Sequence, residues 1–131
     1  IYLQDVESIW DLSWNKSHKY GDIWLQFEKS QCAYNFSESN PENIIKLFEI
    51  SQNEANSLIE KKLTYPALDF VLKCSHSFNL LDARGVISVT DRAQYIEKIR
   101  KLAREVAMSW IEERELLEYP LIKNRNFINS L

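Results

Sequence analysis

Glycine is scarce in this chain, which has two glycines, Gly21 and Gly85, among its 131 residues. A phosphate-binding loop of either common kind needs closely spaced glycines, because backbone N–H groups must come near the phosphates. Two isolated glycines exclude such a loop. The sequence also has no apolar run near the ~20 residues that a membrane-spanning helix requires. We therefore expect no glycine-rich nucleotide site and no association with a membrane.

Cysteine and histidine are equally sparse, with two of each: Cys32, Cys74, His18 and His76. They lack the paired spacing of a zinc site, so no metal site is predicted. Cys74 and His76 are two residues apart and point to different faces of a helix, which excludes a nucleophile and base through local geometry. His76 is predicted to be packed and hydrogen-bonded. Both cysteines lie in apolar helical patterns, where reduced cysteine packs as a small hydrophobic residue, so a cytosolic setting fits best.

Length and composition are those of a folded module. A chain of 131 residues suits one domain that buries roughly two-thirds of its unfolded surface, and 45% of the residues are hydrophobic. The formal net charge is -3, whereas domains that bind nucleic acid through bulk electrostatics are clearly basic. Any contact with RNA is therefore expected to be local or shared with a partner.

Four segments have the spacing of amphipathic helices, which predicts an all-α fold, an antiparallel bundle of about four main helices. The predicted helices cover about residues 22–36, 41–62, 66–84 and 89–117. Asp22 is expected to cap the first helix, and Asn40 with Pro41 to start the second. Before them, Ile9 to Trp14 has no clear period and is predicted as a short extended segment, followed by a loop over residues 15–21.

The predicted inward faces come from three- and four-residue spacing. In the second helix they are Ile44, Leu47, Phe48, Ala55, Leu58 and Ile59. In the third helix, which is expected to be central, they include Leu68, Val71, Leu72, Ser75, Phe78 and Asn79. In the fourth helix they are Tyr95, Ile96, Ile99, Leu102, Ala103, Val106 and Trp110.

The third and fourth helices are joined by a corner within residues 75–92, which read SHSFNLLDARGVISVTDR. Gly85 lies where the third helix should stop, because glycine adopts the left-handed conformation that closes a helix end. Ser88, with Asp91 three residues later, resembles a capping box and predicts the start of the fourth helix.

The corner carries more polar groups than a turn between packed helices needs. Arg92 is in line with the apolar stripe of the fourth helix, so it should be paired, and Asp82 is the predicted partner. These charges either only fix the corner or, together with Asn79 and Arg84, form a surface for another macromolecule. The sequence leaves both interpretations open.

At this corner the sequence HSFNLLDARGVISVTDR closely resembles the α subunit of bacterial, two-subunit glycyl-tRNA synthetase, a class II aminoacyl-tRNA synthetase. Further stretches that resemble this family are IYLQDVESIWDLSW, YGDIWLQFEKSQCAYNF and YPALDFVLKCSHSFNLLDAR. The similarity covers about residues 1–115 in one register, and several long uncommon words are more specific than a single short motif.

The resemblance implies the parent reaction, in which glycine and ATP form an adenylate with Mg2+ and the glycyl group passes to tRNA(Gly). It also implies an assembly of two α and two β subunits, in which β supplies much of the tRNA recognition. The expected partners are therefore the β subunit, a second α subunit and tRNA(Gly). ATP and Mg2+ are cofactors of the parent enzyme and are not expected to bind this stretch alone. A cytoplasmic location is expected, without a distinction between bacterial cytosol and an organelle.

In that family the adenylate-forming site is an antiparallel sheet, and its third motif contains a Gly-Leu-Glu-Arg sequence. Ile1 to Gln4 resembles the residues that follow this arginine. We therefore expect three parts: residues 1–20 as the end of the catalytic core, residues 21–118 as a C-terminal helical domain, and residues 119–131 as a tail. No catalytic or cofactor-binding residue is expected here, and the isolated chain should make no glycyl-adenylate.

The helical domain is expected to support the active-site domain and to present a surface to β or to tRNA. The candidate surface residues are Asn79, Asp82, Arg84 and Arg92. The alternative is a free-standing, non-catalytic helical adaptor that shares ancestry with the synthetase. The segment that resembles part of a catalytic helix favours the first interpretation, and the upstream reading frame would decide.

Three further sets of residues have a structural and a functional interpretation. The acidic residues Glu112, Glu113, Glu115 and Glu118 are predicted to form a solvated face and not an acid–base pair. The aromatic residues Trp10, Trp14, Trp24, Trp110, Tyr20, Tyr34 and Phe36 are predicted as core, with stacking on nucleic-acid bases as the alternative. The apolar tail residues are Leu121, Ile122, Phe127 and Ile128, which either fray or dock on another surface.

Overall fold

The computed structural model describes residues 1–122, and within them it contains helices and turns but no β-strand. The chain divides into two compact units, residues 1–40 and 41–131. All four predicted helices form, which confirms the all-α prediction. The predicted extended segment at Ile9 to Trp14 is wrong for Ile9–Asp11, which forms a 3₁₀ turn, whereas Ser13 makes an isolated antiparallel bridge with Lys19. The predicted domain boundary between residues 20 and 21 concerns the origin of each part and stays a prediction.

The first unit begins with two short turns. Tyr2–Gln4 forms a single 3₁₀ turn that ends at Asp5, whose φ is 51°. The second turn, Ile9–Asp11, is capped by Ser8, whose Oγ accepts a hydrogen bond from the Trp10 N–H at 3.2 Å. A side chain that satisfies one N–H stabilises a short turn where no helical period exists.

Helix α1, Tyr20–Ala33, follows a loop and continues into a π-helical turn, Tyr34–Glu38. The Lys19 N–H donates to Asp22 Oδ2 at 2.8 Å, so Lys19 is the cap and Asp22 lies three residues inside the helix. The predicted Asp22 cap is therefore wrong in position, although its carboxylate does satisfy the helix start. A Cβ at Gly21 would lie 2.8 Å from the Trp10 carbonyl oxygen, so this close backbone approach requires glycine.

The second unit contains helices α2, Pro41–Glu60, α3, Thr64–Ala83, and α4, Val89–Leu116. Pro41 begins α2 as predicted, where a missing N–H costs nothing. Helix α3 packs against both α2 and α4, whereas α2 and α4 contact each other less. The prediction that the third helix is central is confirmed. Helix α1 packs on the turns of its own unit.

The buried face of α3 differs from the predicted one. Its buried apolar residues are Ala67, Val71, Cys74, Phe78, Leu80 and Leu81. Leu68, Leu72 and Asn79 are exposed, with 60% of Leu72 accessible to solvent. At 100° per residue, Asp69, Lys73 and His76 lie on the side of α3 opposite the buried residues, and Leu68 and Leu72 flank this polar side. The structure turns the small residues Ala67 and Cys74 inward, which lets neighbouring helices approach closely.

The main core cluster draws on all three helices of the unit. Its buried members are Phe48, Ala55, Leu58, Ala67, Val71, Cys74, Phe78, Leu102 and Val106. Tyr95 packs beside this cluster, edge-on to Phe48 at 4.7 Å between ring centroids and 6.0 Å from Phe78.

Several predicted inward residues of α2 and α4 lie at the surface. Leu47 is 53% exposed and Trp110 is 42% exposed, and Ala103 is exposed as well. The position that sequence patterning missed in α4 is Ser109. It is buried, and its hydroxyl lies 3.0 Å from that of Thr64 at the start of α3. A hydroxyl pair satisfies both groups where the two helices meet.

The end of α4 lies one residue before the predicted Leu117. Tyr119 then turns back, and its N–H donates to the Arg114 carbonyl at 2.9 Å. Leu121 is 79% exposed. Of the other predicted tail residues, Phe127 and Ile128 lie outside the described residues.

Candidate functional site

The α3–α4 corner begins with a Schellman motif, in which the last carbonyls of α3 accept hydrogen bonds from the residues that follow. Gly85 has a φ of 65°, and its N–H donates to the Asp82 carbonyl at 3.0 Å. The Val86 N–H reaches the Leu81 carbonyl at 3.4 Å. This pair of bonds requires a left-handed residue at Gly85. The predicted role of Gly85 is confirmed.

The start of α4 is capped by Ser88, also as predicted. Its Oγ accepts from the Asp91 N–H at 3.0 Å and donates to Asp91 Oδ2 at 2.6 Å. In a full capping box the acidic side chain accepts from the backbone N–H of the cap residue, whereas Asp91 accepts from the Ser88 hydroxyl. The carboxylate of Asp91 also lies at the positive end of the helix dipole, which stabilises the helix start.

Asp82 and Arg92 form the predicted ion pair across the corner. Arg92 Nε lies 3.1 Å from Asp82 Oδ1, and Arg92 Nη2 donates to Asp82 Oδ2 at 3.3 Å. The side chains are 55% and 40% exposed, so the arginine does not lie in apolar surroundings as the sequence suggested. Asp82 lies near the negative end of the α3 dipole and Arg92 near the positive end of the α4 dipole, and each placement is unfavourable on its own. The attraction between the two charges offsets these unfavourable interactions.

The remaining candidate residues lie around this pair. Asn79 is exposed and precedes Asp82 by three residues, which places both on one side of α3. Arg84 follows the last residue of α3 as its C-cap and is half-buried. His76 is exposed, so the prediction of a packed histidine is wrong. The structure therefore brings Asp82 and Arg92 into direct contact and places Asn79 and Arg84 on the adjoining end of α3.

A small cavity of about 190 Å³ adjoins the corner, and its lining includes Val86, Ile87, Tyr95 and Lys98. Burial raises the pKa of Tyr95, and the nearby carboxylates Glu49 and Asp91 raise it further. Pockets for small organic ligands usually measure about 300–1,000 Å³. The corner therefore suits surface contact better than enclosure of a small molecule.

The cysteines have no activated thiol. Burial raises the pKa of the Cys74 thiol to about 11. Cys32 is exposed, contrary to the prediction that both cysteines pack. The pKa of the Cys32 thiol is raised by local desolvation and by a hydrogen bond to Glu28. Because the thiolate is the reactive form, both shifts oppose nucleophilic chemistry at neutral pH. Among residues 1–122, no three His, Cys, Asp or Glu side chains cluster in a way that could hold a metal ion.

The acidic end of α4 is more strongly paired than the sequence indicated. Lys62 Nζ lies 2.6 Å from Glu112 Oε2, and Arg114 Nη2 lies 2.6 Å from Glu113 Oε1. The Tyr119 hydroxyl donates to Glu115 at 3.2 Å. The prediction of a solvated face is confirmed for Glu112, Glu115 and Glu118, which are exposed, although Glu112 and Glu115 also have partners. The contact between Lys62 and Glu112 joins residues 50 apart in sequence, so no local pattern indicates it.

The aromatic residues of the first unit pair with one another. Tyr20 lies 5.8 Å from Trp10 and 6.0 Å from Trp14 between ring centroids, and Trp24 is edge-on to Phe27 at 5.7 Å. Trp14 is 55% exposed and Trp24 is 39% exposed. They are thus a partly exposed aromatic group and not the buried core that was predicted.

A family model that describes the glycyl-tRNA synthetase alpha subunit matches residues 1–115. The matched range includes the whole corner and all but the last residue of α4. Within the part of the chain that the structure describes, no helix is long and apolar enough to cross a membrane.

Proposed function

The chain belongs to the glycyl-tRNA synthetase alpha subunit family, and we propose that its helices form a supporting domain that presents a partner surface, outside the centre that activates glycine. The family is one of class II glycine–tRNA ligases that use ATP and assemble with β subunits. The resemblance implies an adenylate-forming site on an antiparallel sheet. The described residues instead form packed helices and capped turns, which suits a supporting role.

The observation that carries the partner surface is the exposed Asp82–Arg92 pair. An arginine has five N–H donors in a planar fork, and Asp82 engages Nε and one N–H of Nη2. The other donors can contact a carboxylate of the β subunit or a phosphate of tRNA(Gly). Asn79 lies beside the pair on α3 and adds an amide that both donates and accepts hydrogen bonds.

The partner surface is tested by capturing the β subunit with the 131-residue chain and by charging tRNA(Gly) with the full α2β2 enzyme. Arg84→Ala and Arg92→Ala should weaken capture or charging by more than they lower the free energy of unfolding. Lys46→Ala, at an exposed position of α2 outside the corner, is the matched control. Normal capture and charging by both corner variants would remove the corner from consideration.

We also infer that the 131-residue chain alone forms no glycyl-adenylate. The measurement is glycine-dependent exchange of pyrophosphate into ATP, with the full enzyme as the positive control. Exchange above the rate without glycine would contradict the supporting role and place activating chemistry in these helices. A chain that captures no β subunit and exchanges nothing would favour the adaptor alternative.

A further inference from the structure

An apolar groove lies between the start of α3 and the second half of α4. Its larger cavity, of about 440 Å³, has Tyr65 and Leu68 on one side and Ala107, Trp110 and Ile111 on the other. The four larger of these side chains are between 42% and 59% exposed, and no charged side chain of the described residues lines the cavity. Contiguous exposed apolar surface usually marks a place where another apolar segment makes contact.

A second apolar cavity continues the groove to the last residue that the structure describes. This cavity measures about 230 Å³, shares Trp110 and Ile111 with the larger one, and is also lined by Leu121 and Ile122. Ile122 is the last described residue. The chain therefore lies against the groove at the point from which residues 123–131 continue.

The nine residues that follow Ile122, KNRNFINSL, have a composition that suits this groove. Phe127 and Ile128 form an apolar pair among polar residues. Phe127 follows Ile122 by five residues, so it can lie up to roughly 17 Å away. Along α4, the stretch from Ile111 back to Ala103 extends about 12 Å. The apolar pair can therefore reach any part of the larger cavity.

Charge and hydrogen bonding favour the same occupant. Lys123 and Arg125 follow the exposed Glu115 and Glu118 along the chain, so opposite charges can pair at the entrance of the groove. Nε of Arg114, which lines the smaller cavity, is buried and has no hydrogen-bond partner among the described residues. Buried N–H groups are nearly always paired, and a chain segment in the groove offers backbone carbonyl groups as acceptors.

We propose that the 123–131 segment docks back into this groove, with Phe127 and Ile128 against Trp110 and Ile111 in the larger cavity. The groove lies at the opposite end of α3 and α4 from the corner, and the proposal does not rest on the proposed function. The segment lies beyond the residues that match the family model. Docking removes the exposed apolar side chains of the groove from water, so any partner with an apolar segment must displace this one first.

The covalent connection makes a weak contact sufficient. Two apolar side chains and a few polar contacts support a dissociation constant on the order of 0.1 mM for the separate peptide. A tether of a few residues holds the segment at an effective concentration on the order of 1 mM. The segment should therefore occupy the groove in about nine chains out of ten and exclude a second copy of the same peptide.

The test is a titration of a fluorescein-labelled peptide of residues 123–131 with the 131-residue chain, followed by fluorescence anisotropy. The segment variant, Phe127→Ser with Ile128→Ser, should bind the peptide with a dissociation constant on the order of 0.1 mM, because its own segment no longer fills the groove. The wild-type chain should bind about tenfold more weakly. The matched control, Asn124→Ser with Asn126→Ser, changes the same segment outside its apolar pair and should behave as the wild type.

Changes in the groove itself locate the binding site. In the segment variant, Ala107→Glu places a charge in the apolar cavity and should weaken peptide binding at least about tenfold. Met108→Glu introduces the same charge at the next residue, which is exposed but does not line the cavity, so peptide binding should be unchanged. Circular dichroism verifies that each variant folds.

Three results would overturn the proposal. Equal peptide binding by the wild-type chain and the segment variant would show that the segment leaves the groove open to some other protein. Failure of the segment variant to bind the peptide at millimolar concentration would show that the groove does not recognise this sequence. Equal losses from Ala107→Glu and Met108→Glu would place the peptide outside the groove.

Discussion

Replacing Asp82 with Asn and Arg92 with Met, singly and together, measures how strongly their ion pair holds the corner. Two unit charges 3.1 Å apart attract by about 1.3 kcal/mol at the dielectric constant of water. Both side chains are more than one-third exposed, so salt and lost side-chain entropy reduce this value. We expect a coupling energy of about 0.5–1 kcal/mol, at the upper end for an exposed pair because the contact has two points.

The helix dipoles determine how this coupling is distributed among the variants. Asp82 without Arg92 leaves a negative charge near the carbonyl end of α3, and Arg92 without Asp82 leaves a positive charge near the N–H end of α4. Each such placement costs about 0.3–1 kcal/mol. The wild type already has both dipole costs, so each single variant loses the coupling of about 0.5–1 kcal/mol but is relieved of one cost of similar size. Its stability should therefore change by less than about 0.5 kcal/mol, and the double variant, which has neither charge, should lose no more than either single one.

The measurement is urea unfolding followed by far-UV circular dichroism for all four proteins, at low and at high salt. High salt should shrink the coupling energy, because the pair is exposed. The control is the pair Asp69 and Lys73, whose atoms lie 2.7 Å apart within α3. Its cycle should give about 0.3–0.5 kcal/mol, as expected for four-residue spacing on a helix. Strictly additive effects at the corner would refute the assigned role of the pair.

Four further changes test other parts of the structure. Gly85→Ala should cost about 1–2 kcal/mol in thermal unfolding, because residue 85 has a φ of 65°. The new Cβ would have nothing within 4 Å, so no clash adds to this cost. Gly85→Asn should cost less. Val71→Ala should cost about 2 kcal/mol and Leu72→Ala less than about 0.5 kcal/mol; equal losses would contradict the assigned buried face of α3. Folding raises the pKa of the Cys74 thiol from 9.0 to about 11, so the thiol ionises at lower pH in the unfolded chain than in the folded one. The free energy of unfolding should therefore fall as pH rises from 9 toward 11. In pH-dependent urea unfolding, Cys74→Ala should lack this component. Arg92→Lys keeps the charge but loses the planar fork, so stability should change by less than about 0.5 kcal/mol while capture of the β subunit weakens; unchanged capture would show that only the charge matters.

The corner could be predicted because its determinants are local. Gly85 closes α3 and Ser88 caps α4 through bonds that reach no more than five residues along the chain. The Asp82–Arg92 contact spans ten residues, and it too follows from placing the end of one helix beside the start of the next. Helix ends of this kind can be predicted without knowing the rest of the fold, because a few local hydrogen bonds determine them.

The wrong prediction for the buried face of α3 follows from giving its large apolar residues more weight than its polar ones. At 100° per residue, Asp69, Lys73 and His76 lie opposite the buried Ala67, Val71 and Cys74, so the polar positions do indicate the rotation of the helix. By contrast, no local pattern indicates the contact between Lys62 and Glu112, which are 50 residues apart and meet only after the helices pack.

Fixing the corner and binding a partner are compatible tasks for Arg92. Asp82 engages one edge of the guanidinium and favours this orientation of the side chain, so less rotamer entropy remains to be lost when a partner contacts its other donors. The aspartate also leaves the ion pair nearly neutral. The arginine therefore does not attract polyanions through its charge alone. A partner must then supply matched geometry as well as negative charge. This requirement favours a folded surface over a flexible anionic segment as the occupant of the corner.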